Sequence, residues 1–106
     1  MIMLVVTFDI AEPHRPAFEG VINDLAVATL SGEPDTLLYQ LSSDDSAQGV
    51  YRLVELYRDQ AALDNHMASE WLRAAGGKLA PLLAARPEIV RHTSINDSFA
   101  MKGIAL

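Results

Sequence analysis

Cysteine is absent from this chain of 106 residues. That excludes disulfides, thiolate nucleophiles and Cys-ligated zinc or iron–sulfur sites. Basic residues are scarce, 8 Lys and Arg against 14 Asp and Glu, for a net charge of −6. A nucleic-acid binder needs cations to displace phosphate counterions, and docking on anionic lipid needs them too, so neither partner is expected. Long apolar runs are missing. MIMLVVTF meets Asp9 well short of the roughly 20 residues a spanning helix requires. It has no basic flank or small-residue cleavage site, so no signal peptide is expected and the default address is cytoplasmic. Among local motifs, His14, His66 and His92 show no metal-ligand spacing, Asp44-Asp45 lacks the calcium-loop pattern, and Gly76-Gly77 is no phosphate loop. No metal site is expected. A Gly-x-Ser-x-Gly elbow is also absent.

What is present is apolar matter, 50% of the chain. The length fits one domain over 1–106. Ile2 to Phe8 reads as a strand. Phe18, Ile22, Leu25, Ala26 and Thr29 recur at helical spacing from Pro16 to about Leu30. TLLYQL and VYRLVELY, joined by the polar loop SSDDSAQG, read as a hairpin of strands 36–41 and 50–57. Asp59 and Ser69 are candidate N-caps of two successive helices, with Gly76-Gly77 expected to break the second. Glu88 to Ile95 completes the order β-α-β-β-α-β, an α+β ferredoxin-like pattern with an antiparallel sheet. In that topology the helices cover one sheet face. MIMLVVTF and TLLYQL hardly alternate, so their strands want cover on both faces. A homodimer packed sheet to sheet is expected, with the tail 96–106 as a candidate arm over the partner.

Two stretches carry a family likeness. SGEPDTLLYQLSSDD is an acidic-Pro turn into a tyrosine-bearing strand. ELYRDQAALDNHMASEWLRA is strand-Glu-x-aromatic, then helix-Ala, then His-x-x-Ser. Together they resemble the antibiotic biosynthesis monooxygenase domain of the dimeric α+β barrel superfamily, over about residues 2 to 95. The resemblance implies a homodimer with a pocket between each sheet and its own helices. It also implies oxygenation of a small quinol-like or anthrone-like aromatic by dioxygen without metal, flavin or haem. The chain departs from the pattern at Trp71, where many relatives carry a second histidine. The haem-degrading branch fits less well, since its first-strand asparagine is missing from Ile2–Phe8. Two further readings stay open: breakdown or isomerisation of a small signalling molecule, and a non-catalytic small-molecule-binding dimer.

The candidate site residues follow from chemistry. His66 shares a helix face with Ala62, and its ordinary pKa near 6.5 suits a general base. Glu55 lies on the strand face of Tyr51, Leu53 and Tyr57, where a carboxylate is costly unless paired. It is the candidate orienter of His66, against a plain strand-end ion pair. Trp71 offers a flat apolar wall or ordinary core packing. Tyr39, Tyr51, Tyr57 and Arg91 are candidates to contact substrate oxygen, against packing for the tyrosines and a surface ion pair for the arginine.

Overall fold

A computed structural model describes residues 1–96 of the chain. Of the expected tail arm 96–106, residues 97–106 lie outside the described residues. Four strands, β1 (Ile2–Asp9), β2 (Thr36–Ser43), β3 (Val50–Tyr57) and β4 (Glu88–Thr93), form one antiparallel sheet in the order β2-β3-β1-β4. Helix α1 (Arg15–Gly32) links β1 to β2, and α2 (Gln60–Met67) with α3 (Glu70–Leu79) links β3 to β4. This is the ferredoxin-like α+β arrangement read from the sequence.

Period two decides which side chains meet the helices. Ile2, Leu4, Val6 and Phe8 of β1 are buried, as are Tyr51, Leu53, Glu55 and Tyr57 of β3. Phe18, Ile22 and Leu25 of α1 pack with Val6, Phe8, Tyr39, Tyr51, Leu53 and Ala75 into the main core. A smaller cluster joins Ile2, Leu4 and Tyr57 to Ala62 and Leu63 of α2. The odd-numbered face of β3 is thus the helix side, and it carries Glu55 toward His66. The opposite sheet face holds Met3, Val5, Leu38, Val54 and Leu56, only half-buried, and Val90, exposed. Val5 stands opposite both Val54 and Val90, and Met3 opposite Leu56, so these side chains form continuous rows.

Local chemistry sets the element ends. Asp59 accepts from Ala62 N–H and Ser69 from Leu72 N–H, the expected caps of α2 and α3. In the hairpin loop Asp44 accepts from the Ser46 backbone and hydroxyl, and from Arg52 at 2.6 Å. The Arg52 bond holds the Asp44 carboxyl below the usual carboxylate range. Gly49 closes the loop at φ +80°, and a Cβ there would lie 2.6 Å from the Ile10 carbonyl oxygen and 2.5 Å from the Arg15 guanidinium. Only glycine accommodates both demands. The expected break at Gly76-Gly77 does not occur: α3 runs through both to Leu79. Two interior glycines cost about 1 kcal/mol each. Burial of Ala75 and packing of Trp71, Leu72 and Leu79 on the core outweigh that cost. The expected end of α1 at Ser31-Gly32 also shifts; both residues form its last turn, and Pro34 follows its C-cap.

Candidate functional site

Glu33 is the C-cap of α1, and its backbone N–H bonds Thr29 O. A carboxylate at the negative end of a helix is unfavourable unless other groups hold it. Here several do. Thr36 Oγ1 donates to Oε1 at 2.7 Å, and Trp71 Nε1 donates to Oε2 at 2.6 Å. The His66 ring nitrogen Nδ1 lies 2.9 Å from Oε2 and 3.1 Å from Oε1. Glu33 is 6% exposed and His66 1%. An ionised carboxylate only accepts, so it assigns the ring proton to Nδ1. In the neutral ring Nε2 is then an acceptor.

Nε2 points at two groups on the sheet. The Tyr39 hydroxyl of β2 is 3.3 Å away, and Glu55 Oε1 of β3 is 4.0 Å away. Tyr39 and Glu55 are cross-strand partners, which is why both reach the same nitrogen. Glu55 is also bonded by the Tyr57 hydroxyl. Burial pushes the Glu55 carboxyl above its ordinary value, though the Tyr57 bond and His66 pull it back. Burial, with Glu55 and Glu33 close by, pushes the Tyr39 phenol well up. Tyr57 is raised by burial and by Glu55. The rings of Tyr39 and Tyr57 lie 5.2 and 5.5 Å from the imidazole, enclosing it.

A groove of about 750 Å³ runs between α1 and the β2 edge of the sheet. Its size suits a small organic ligand. Ile22, Ala26, Leu41, Tyr39 and Tyr51 give it apolar walls, and Glu19, Asn23, Gln40, Ser42 and Ser43 a polar rim. Tyr51 donates across it to Glu19 at 2.6 Å. Burial and that bond push the Tyr51 phenol up to about 12. Tyr39 alone belongs both to the groove lining and to the His66 cluster.

The structure thus gathers His66, Glu55, Tyr39 and Tyr57, and ties Trp71 to them through Glu33. It places the others elsewhere. Tyr51 lines the groove away from the imidazole, and Arg91 is exposed on β4, donating to Gln60 at 2.9 Å. Trp71 lines a smaller cavity of about 200 Å³ between α1 and α3. Its ring lies over Gly32, where a Cβ would come within 2.7 Å of Cη2. The side chain that holds Nδ1 is Glu33, where sequence reasoning pointed to Glu55 as orienter. In sequence, Glu33 reads as part of a turn. The overlooked signal was an acid at a helix C-terminus, against the dipole. Among the described residues no three His, Asp or Glu side chains converge as ligands of one metal ion, and no helix is long and apolar enough to cross a membrane.

Comparison with known proteins agrees with this architecture. The model of the antibiotic biosynthesis monooxygenase family matches residues 1–78, and the chain belongs to that family. A candidate antibiotic biosynthesis monooxygenase from Caulobacter crescentus is 33% identical, superimposes with a TM-score of 0.87, and is covered over 90% of both chains. Candidates from Deinococcus radiodurans and Nitrosomonas europaea share the fold at 23% and 14% identity. Their TM-scores are 0.83 and 0.84, over 95% and 91% of this chain and 99% and 100% of theirs. No protein of curated function matches the sequence. The family assignment carries a monooxygenase-like role.

Proposed function

We propose that this protein is a cofactor-independent monooxygenase that binds a quinol-like or anthrone-like aromatic in the α1–β2 groove. The observation that carries the reading is the buried imidazole beside that groove, with one nitrogen held by Glu33 and the other turned toward Tyr39. That is a general base with its tautomer fixed by a third group.

The chemistry balances without a further reductant. The ring CH₂ of an anthrone plus dioxygen gives a ring carbonyl plus water, and a quinol ring C–H plus dioxygen gives a hydroxyquinone plus water. One oxygen atom enters the carbon, the other leaves as water, and the substrate supplies all the electrons. The protein's share is to remove the first proton, so that the electron-rich anion meets dioxygen, and to keep the site dry. His66 takes the proton. Glu33 stabilises the imidazolium that results, as a carboxylate opposite a charged donor does. Glu55 lies 4.0 Å from Nε2, and because burial pushes it toward its neutral form it counters less of the imidazolium's charge than an ionised carboxylate would. Tyr57 and Trp71 hold the two carboxylates in place, and Tyr51 and Arg91 are assigned no step.

The working unit in this reading is a homodimer. The apolar rows on the uncovered sheet face, Met3, Val5, Leu38, Val54, Leu56 and Val90, support pairing of two sheets across it.

The test is oxygen uptake by metal-stripped protein with a panel of hydroquinones and anthrones. Uptake that requires the protein, and falls at least about tenfold in His66→Ala, is expected of a general base. Uptake unchanged in the variant refutes the role of His66. A ligand that raises the melting temperature without being consumed would identify a binding protein instead.

A further inference from the structure

His66 is 1% exposed and does not line the groove. A base that touches no substrate needs a carrier, and the groove wall contains one candidate. Tyr39 lines the groove, is 5% exposed, and sets its hydroxyl 3.3 Å from His66 Nε2. We infer that Tyr39 is the catalytic residue that touches the substrate, and that Glu33, His66 and Tyr39 act as one relay whose substrate is an aromatic with an acidic hydroxyl or enol.

The proton inventory closes. The substrate O–H gives its proton to the Tyr39 oxygen as the Tyr39 O–H gives its own to Nε2. The substrate leaves the step as an anion, Tyr39 ends as it began, and His66 becomes an imidazolium opposite the Glu33 carboxylate. Separate ionisation of Tyr39 is disfavoured, because burial and the two nearby carboxylates raise its pKa. The two transfers therefore occur together. At 3.3 Å the Tyr39–His66 contact is long for an O–H···N bond. Such contacts tighten when substrate is bound.

The groove chemistry agrees with this substrate class. Ile22, Ala26 and Leu41 suit a flat ring, while Gln40 and Ser42 at the rim suit its polar substituents. The inference rests on the groove being the substrate site, as proposed above, but not on the oxygen chemistry that follows.

The probe is a nitronaphthol that is inert to dioxygen and whose anion absorbs in the visible. It is titrated into the full chain without oxygen, at a pH below its own solution pKa. Wild type is expected to bind it as the anion, with His66 taking on the ¹⁵N signature of an imidazolium. Tyr39→Phe is expected to bind it neutral, with the ionised fraction down at least about tenfold, one unit of effective pKa. Trp71, bonded to Glu33 at the far end of the relay, reports by its emission whether the variant keeps the cluster intact. Should that variant not fold, the His66 ¹⁵N signal in wild type decides alone. The inference is overturned if Tyr39→Phe ionises the probe as wild type does. It is also overturned if wild type holds the probe neutral, if His66 stays neutral beside the bound anion, or if the probe does not perturb the groove residues. Ionisation in wild type without oxygen uptake from any quinol or anthrone sinks the monooxygenase reading and leaves the relay standing.

Discussion

Replacing Glu33 by alanine removes the acceptor shared by His66 Nδ1–H, Thr36 O–H and Trp71 Nε1–H. Two of these donors belong to buried residues and the third to a half-buried ring. Each buried donor left without a partner costs about 1–3 kcal/mol. A small void of about 30 Å³ beside Glu33 and Thr36 could admit water to the space the side chain leaves, which favours the lower end. Glu33→Ala is therefore expected to lose roughly 3–5 kcal/mol, a large share of a typical domain's 5–15. Glu33→Gln is milder. With its amide NH₂ toward Thr36, whose hydroxyl can turn and accept, its oxygen still accepts from Trp71 and His66. Only the charge is lost, and roughly 1–2 kcal/mol is expected. Urea denaturation read by far-UV circular dichroism gives both numbers, and an unchanged m-value shows that stability alone has moved. Because Trp71 is the chain's one tryptophan, its emission reports the same site independently. A loss under about 1 kcal/mol in Glu33→Ala, with Trp71 emission unmoved, would refute the idea that this carboxylate organises the cluster.

Other consequences follow from the same geometry. Burial raises the folded-state pKa of Glu55 above its ordinary 4.5, so the native state holds the proton more tightly than the unfolded chain. Its contribution to stability is then full below pH 4.5 and is lost as pH rises through the raised value. Glu55→Gln should flatten that descent, leaving the variant more stable relative to wild type at neutral pH than at pH 4.5; parallel stability–pH curves would contradict this. Thr29 has a buried hydroxyl with no hydrogen-bond partner among the described residues. Thr29→Val should be neutral or up to about 1 kcal/mol more stable, and a clear loss in a thermal melt would show that the hydroxyl has a partner. Gly32→Ala places a Cβ against the Trp71 ring, so it should shift Trp71 emission and destabilise by about 1 kcal/mol despite alanine's better helix propensity. Unchanged emission would mean that the ring does not rest on Gly32.

The fold was legible because its signals are local. Hydrophobic periodicity marks α1, a β-branched run marks β1, the polar loop between two apolar runs marks β2 and β3, and Asp59 and Ser69 announce the starts of α2 and α3. Continuation of α3 through Gly76-Gly77 was not legible, because it is decided by long-range packing. The site was half legible. His66 and Glu55 stand out as polar side chains on apolar faces, and Tyr39 shares its strand pair with Glu55. Glu33 was hidden by its neighbours: Gly32 and Pro34 make the stretch read as a turn, and its partners lie 3, 33 and 38 residues away. Trp71 places its indole N–H donor on that carboxylate.

The most direct test of the account is the origin of the oxygen in the product. Metal-stripped wild-type protein is supplied with an anthrone under ¹⁸O₂, and the product mass is read. The account predicts a quinone carrying one labelled atom from dioxygen, formed only with protein present and strongly reduced in Tyr39→Phe and His66→Ala. A quinone with no labelled oxygen, or the same labelled product at the same rate without the protein, would contradict it.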